Sequence, residues 1–66
     1  MSKADKMFEE LGYEELRGFT NCVYADRNRE KFIHFKRDVK KIYCDELVSM
    51  KELKAINKKC EELGWL

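Results

Sequence analysis

Apolar side chains recur at intervals of three and four residues near both ends of the chain. The first set is Ala4, Met7, Phe8 and Leu11. The second set is Leu53, Ile56, Cys60 and Leu63, with Met50 at its margin. Because this interval matches the helical repeat, each set lies on one stripe of a helix. We therefore predict α-helices over residues 3–11 and 50–63.

Both predicted helices end in nearly the same hexapeptide, FEELGY in the first and CEELGW in the second. A glycine after a helical run adopts the left-handed backbone, and in the Schellman motif the apolar residue that follows packs back onto the last turn. We predict this motif at Gly12 with Tyr13 and at Gly64 with Trp65. Ser49 with Glu52 predicts a capping box at the start of the second helix, and Ser2 predicts a simpler cap at the start of the first.

Between the helices the apolar period changes to two. The segments NCVYAD, EKFIHFKR and VKKIYCD are rich in aromatic and β-branched residues and alternate as strands do. Asn28 and Asp38 mark the tight turns, and residues 13–17 add a possible short edge strand. The chain of residues 1–66 is thus predicted to be a single α+β domain. It has an N-terminal helix, an antiparallel meander of three or four strands, and a C-terminal helix packed on the sheet.

Two-residue loops at Asn28 with Arg29 and at Arg37 with Asp38 fix the expected strand register. The predicted cross-strand pairs are Tyr24 with Ile33, Cys22 with Phe35, and Ile33 with Ile42. One sheet face is then apolar and covered by the helices: Cys22, Tyr24, Ile33, Phe35, Ile42 and Cys44. The other face carries Val23, Ala25, Phe32, His34, Lys41 and Tyr43.

This second face is not cleanly polar, which leaves three interpretations open. Its apolar side chains are scattered surface residues, which are common. Alternatively, one helix covers each face of the sheet. The third interpretation is a contact patch for a second subunit or another protein.

Composition indicates a small domain with a highly charged surface. Of the 66 residues, 44% are hydrophobic and 41% are charged. No apolar run is long enough for a membrane span or a signal peptide, and the three cysteines do not form the even disulfide framework of small secreted domains. We therefore expect a cytoplasmic protein without membrane contact.

Charge is unevenly distributed. Residues 27–41 hold seven basic and two acidic side chains, although the net charge of the whole chain is only +1. We predict a binding site that combines this basic hairpin with three side chains of the second face. Its residues are Arg27, Arg29, Lys31, Phe32, His34, Lys36, Arg37, Lys40, Lys41 and Tyr43. The competing interpretation is that lysines protect the hairpin edges from aggregation and the rings fill the core.

Catalytic and metal-binding patterns are weak. His34 is the one histidine and lies within a strand, and the acidic pairs are sequence neighbours that point about 100° apart on a helix. Cys22, Cys44 and Cys60 with His34 offer a Cys₃His zinc set, but they lack the closely spaced ligand pairs of structural zinc sites. We predict no enzyme activity, no metal and no cofactor, with the cysteines acting as small apolar residues.

The segments ADKMFEELGY and VSMKELKAINKKCEELGWL resemble small uncharacterised proteins of phages and prophages of Gram-positive bacteria. The resemblance implies the same order of helix, meander and helix, and a role in binding a host or phage partner. If a phage encodes the protein, we expect it in the cytoplasm of the host cell. It implies no catalytic or ligand residues. We therefore expect a non-catalytic protein-binding module, monomeric or homodimeric. Weak binding of single-stranded nucleic acid through residues 27–41 and a homodimeric structural protein are the alternatives.

Overall fold

A computed structural model describes residues 2–16, 21–44 and 47–66 of the chain. Its elements in order are α1 (Lys3–Glu10), β1 (Glu14–Leu16), β2 (Cys22–Asp26), β3 (Lys31–Lys36), β4 (Lys41–Cys44) and α2 (Met50–Glu62). The strands form one antiparallel sheet in the order β1-β2-β3-β4. The predicted α+β fold is confirmed, and the short edge strand exists as β1. Arg17 and Asp45, at the ends of predicted strands, lie outside the described residues.

Both helices close with the predicted Schellman motif. Gly12 and Gly64 have φ angles of +94° and +78°. The Tyr13 amide donates to the Phe8 carbonyl at 2.9 Å, and the Trp65 amide donates to the Cys60 carbonyl at 2.8 Å. These bonds satisfy carbonyls that have no partner inside the helix, and they turn both rings toward the core.

The helix starts are also capped as predicted. The Ser49 hydroxyl accepts from the Glu52 amide at 3.1 Å, and the Glu52 carboxylate accepts from the Ser49 amide at 2.8 Å, which completes the capping box. At α1 the Ser2 hydroxyl accepts from the Asp5 amide at 3.0 Å. Neither helix among the described residues is long and apolar enough to span a membrane.

The two helices run antiparallel beside each other. At the start of α1, the Ala4 amide donates to the Glu62 carboxylate at the end of α2, at 3.1 Å. One turn further in, the Asp5 carboxylate lies 3.7 Å from the Lys59 ammonium. These contacts tie the two ends of the chain together.

Both helices cover the same face of the sheet. Phe8 of α1 stacks on Tyr24 of β2 with ring centroids 4.1 Å apart. The buried core joins Phe8 to residues of α2 and of the sheet: Ala55, Ile56, Cys60, Tyr24, Ile33 and Phe35. The interpretation with one helix on each face is therefore wrong, because both helices share a single cluster on one side.

The β2–β3 pairing follows the predicted register, whereas the β3–β4 pairing does not. Tyr24 faces Ile33 and Cys22 faces Phe35, as expected. Ile33, however, faces Cys44, and Ile42 faces Phe35 instead. The shift is by two residues, so every side chain keeps its predicted face.

The position of turn B explains this shift. Turn A (residues 27–30, between β2 and β3) and turn B (residues 37–40, between β3 and β4) each have four residues rather than two. Turn A keeps its predicted centre, whereas turn B is centred one residue later than predicted, which moves the β3–β4 pairing by two residues. A two-residue type I′ turn needs positive φ at two consecutive residues, which usually means glycine. Neither turn contains one, and each longer turn has a single residue of positive φ, Glu30 at +52° and Lys40 at +53°.

Candidate functional site

The predicted binding residues divide between the two ends of β3. Arg27, Arg29 and Lys31 lie at or beside turn A. Lys36, Arg37, Lys40 and Lys41 lie at or beside turn B. The remaining three, Phe32, His34 and Tyr43, lie on the sheet face opposite the helices. From the sequence we predicted that these residues form one patch, but the structure places them in two different environments.

At turn A every predicted cation is ion-paired. Arg29 Nε lies 2.6 Å from the Asp26 carboxylate, and Arg27 Nε lies 3.7 Å from the Glu14 carboxylate. The Lys31 ammonium lies 2.9 Å from the Glu52 carboxylate. Lys31 is only 7% exposed, so its charge is directed inward and is not presented to a partner.

The Asp26 carboxylate holds turn A in place through hydrogen bonds. Its Oδ1 accepts from the amides of Asn28 and Arg29 at 3.1 and 3.3 Å, the hydrogen bonding of an Asx turn. Its Oδ2 accepts from the Arg29 guanidinium, and this bond lowers the pKa of the Asp26 carboxyl. The same guanidinium lies 5.8 Å from the centre of the Tyr13 ring. Turn A is thereby attached to the residue that closes α1.

Glu52 is the centre of this buried polar cluster. Its carboxylate accepts from the Ser49 amide, the Tyr13 hydroxyl and the Lys31 ammonium. Burial alone would raise the pKa of the Glu52 carboxyl, but these donors lower it to about 2. Burial and the Glu52 carboxylate together raise the pKa of Tyr13. The Lys31 ammonium also donates to the Leu47 carbonyl, so β3 is tied to the start of α2.

Turn B has the opposite character. Residues 36–41 are all exposed. Within the described part of the chain, no carboxylate lies within ion-pair distance of Lys36, Arg37, Lys40 or Lys41. The Arg37 backbone and guanidinium are anchored, because they donate to Asn21 Oδ1 at 3.0 Å and to Cys22 Sγ at 3.1 Å. The positive charge of this end is therefore presented to the surroundings.

Next to turn B lies the sheet face that the helices leave uncovered, which we call the open face. Leu16, Val23, His34 and Tyr43 form a row across its four strands. The Phe32 ring lies beside this row, with its centroid 5.6 Å from that of Tyr43. Tyr43 is 50% exposed. His34 Nε2 is buried and has no hydrogen-bond partner among the described residues.

The burial and pairing of the charged residues in this cluster were not predicted, although the sequence contains a signal for each. Lys31 is in phase with Ile33 and Phe35 on β3, and Asp26 is in phase with Cys22 and Tyr24 on β2. Glu52 similarly precedes Ile56 by four residues, on the apolar stripe of α2. A charged residue in phase with core positions indicates a buried, paired charge, because an unpaired one is far too unfavourable there.

A second cluster of the same kind lies near the start of α1. The Tyr24 hydroxyl donates to the Asp5 carboxylate, and Lys59 lies 5.8 Å from the centre of the Tyr24 ring. Burial would raise the pKa of the Asp5 carboxyl, but the Tyr24 hydroxyl and Lys59 bring a net lowering. Both clusters combine a tyrosine, a helix carboxylate and a lysine, and each ties a helix to the sheet.

Metal-ligating side chains and the groove between the helices are the other places at which a site could lie. No group of three His, Cys, Asp or Glu side chains in residues 2–16, 21–44 and 47–66 is arranged to hold a metal ion. The groove between the helices is shallow, about 300 Å³, and is lined by Met7, Glu10, Leu11, Lys51 and Lys54. We take turn B and the open face as the candidate functional site because they combine exposed cations with the half-exposed Tyr43 ring.

Comparison of the chain with protein-family models, curated proteins and solved structures finds no significant match.

Proposed function

We propose that the protein is a non-catalytic binding module that uses one surface, which we call the basic-aromatic surface. Its residues are Phe32, His34, Lys36, Arg37, Lys40, Lys41 and Tyr43. The observation that supports this proposal is the contrast between the two ends of β3. Cations at turn A are neutralised by carboxylates of the same chain, whereas those at turn B are exposed beside a half-exposed aromatic ring.

The partner that fits this surface best is a protein with an acidic patch. Exposed cations attract such a patch and steer its approach, while aromatic rings supply contact area with little loss of side-chain entropy. The resemblance of both chain ends to small phage and prophage proteins supports a host or phage protein as this partner. The encounter would then take place in the cytoplasm of the infected cell.

Capture of partners from host lysate by the tagged protein tests this function. We expect one or more acidic proteins to be retained, and to be lost when Lys40→Glu and Lys41→Glu are combined. Tyr43→Ser should weaken retention through the ring contact. Lys51→Glu combined with Lys54→Glu on α2 changes the net charge by the same amount outside the basic-aromatic surface and is the matched control. Recovery of the same proteins by all variants would show that another surface binds them.

Single-stranded nucleic acid is a second candidate, supported by the ring pair. Phe32 and Tyr43 lie 5.6 Å apart on neighbouring strands of the open face, and Lys36 and Lys41 lie on the same face toward turn B. Rings that stack on bases beside cations that contact phosphates are a common arrangement for this ligand. Binding to oligothymidylate that weakens steeply as salt rises would support it. No binding at low salt would remove it.

A further inference from the structure

β4 forms one edge of the sheet. In the part of the chain that the structure describes, it pairs with β3 alone. Successive residues of a strand direct their backbone groups to opposite sides. Of the consecutive residues Ile42 and Tyr43, one therefore points its N–H and C=O groups away from β3. Such a row is a ready template for another strand.

Exposed apolar side chains are concentrated in residues 39–53, the part of the chain that contains this edge. Among the described residues, large apolar side chains with substantial exposure lie between residues 39 and 53, apart from Leu66. They are Val39, Ile42, Tyr43, Leu47, Val48, Met50 and Leu53. Of these, Ile42 and Tyr43 belong to β4 itself and Val39 lies in turn B just before it, so a strand added at this edge would meet exposed apolar side chains. Ile42 and Tyr43 lie on opposite faces of the sheet, so apolar contact is available on both sides of the β4 edge.

Charge identifies the kind of strand that fits. Lys40 and Lys41 lie at the turn B end of the β4 edge. Residues 36–41 contain four basic and one acidic side chain. Lysines at an edge disfavour pairing with another basic strand, and a second copy of this chain would bring the same positive segment. An acidic strand is attracted by the same lysines.

We infer that the partner contributes an extended acidic segment that pairs with β4 as a fifth strand. This inference rests on the proposed function and specifies how the surface binds. Main-chain hydrogen bonds to the β4 edge give affinity, and alternate side chains of the segment meet Ile42 on one face and Tyr43 on the other. Its carboxylates lie along Lys40 and Lys41.

Selection from a display library of random peptides about ten residues long, the upper length of ordinary strands, tests the inference on the full chain. Enriched peptides should alternate acidic with apolar residues. Lys41→Glu should weaken an enriched peptide about tenfold, whereas Lys54→Glu should not. Enrichment of sequences without acidic residues, or equal affinity for both variants, would overturn the inference.

Backbone methylation tests the strand pairing itself. Two versions of an enriched peptide carry N-methyl groups on alternate amides. In one version the methylated amides face β4, and in the other they face solvent. We expect one version to lose at least about tenfold in affinity and the other to bind normally. The tight complex should also protect the Ile42 or Tyr43 amide from hydrogen exchange.

The outcomes separate the inference from the proposed function. Equal affinity of the two methylated versions would exclude strand addition, although acidic partners would still be captured from lysate through the basic-aromatic surface. Capture that is unchanged by the Lys40 and Lys41 substitutions would instead refute the proposed function. Tight binding of oligothymidylate, with no peptide enriched, would assign the surface to nucleic acid and overturn the inference.

Discussion

Turns A and B have the same length and the same kind of backbone, since each ends on a non-glycine residue of positive φ, Glu30 and Lys40. Both are also rich in basic residues. Yet Lys31, just after turn A, is buried in an ion pair, whereas Lys36, just before turn B, is exposed. Local sequence does not determine this difference. It arises because the start of α2 brings Glu52 against one end of β3, and no described carboxylate reaches the other.

The difference teaches that a basic run in a sequence need not be one binding surface. At turn A Arg29 and Lys31 stabilise the fold, because removing either would leave the buried carboxylate of Asp26 or Glu52 without its counter-charge. At turn B no described carboxylate pairs with the cations, so we expect their removal to change stability little. We therefore expect substitutions of the turn A cations to lower stability and substitutions of the turn B cations to weaken binding. Four experiments test this difference.

Removing one lysine from each end of β3 gives the largest contrast. Lys31→Met keeps the aliphatic stem but leaves Glu52 without its closest cation, so we expect the free energy of unfolding to fall by about 3 kcal/mol. Lys36→Met should change it by less than about 0.5 kcal/mol. Urea denaturation of both variants measures these changes. Similar losses in the two variants would mean that the two ends of β3 do not differ as described.

Acid should weaken the turn A end selectively. The ordinary carboxyl pKa of 4.5 is lowered to about 2 at Glu52, so the folded state binds this proton less readily than the unfolded state. Stability from this group is fully present above about pH 5 and is lost as the pH falls toward 2. Between pH 6 and pH 3 we expect a loss of about 2 kcal/mol from Glu52.

The control for the acid experiment is Glu52→Gln, which cannot titrate. Asp5 and Asp26 also have lowered pKa values, and so they add to the acid sensitivity of both proteins. The difference in slope between wild type and Glu52→Gln isolates the Glu52 contribution. Parallel stability curves over this pH range would contradict the assignment of Glu52 as the paired carboxylate.

Structural features that depend on residues close in sequence could be predicted. Contacts between residues distant in sequence could not. The caps of both helices depend on residues within one turn, so Ser49, Gly12 and Gly64 identified them. The faces of the strands also followed from alternation, because the register error of two residues preserves parity. The Lys31–Glu52 pair joins residues 21 positions apart and depends on how α2 docks. Pairing across such a distance has no local signal except a charge in phase with the core.

The two helix-closing glycines allow a finer test, because only Gly12 is next to the buried cluster. Gly12→Ala and Gly64→Ala each force a side chain into the left-handed region, and each should lower the free energy of unfolding by about 1 to 2 kcal/mol. Gly12 precedes Tyr13, whose hydroxyl donates to Glu52. We therefore expect Gly12→Ala to be non-additive with Lys31→Met by about 0.5 kcal/mol or more, and Gly64→Ala to be additive. Double-mutant cycles in urea measure both coupling energies. Equal coupling energies would mean that the end of α1 is not energetically linked to the buried cluster.

The smallest expected effect has the opposite sign. Lys36 and Lys41 are directly opposite each other in the β3–β4 register, and like charges in that position destabilise a sheet. Lys41→Glu replaces this repulsion with an attraction, so we expect the free energy of unfolding to rise by about 0.5 kcal/mol at low salt. The gain should shrink as salt screens the pair. Lys41→Gln, which removes the repulsion without adding an attraction, should give an intermediate value.

A protein that is more stable yet no longer captures its partner would show that Lys41 is placed for binding at the expense of stability. A loss of stability in Lys41→Glu would instead mean that Lys41 supports the fold as Lys31 does.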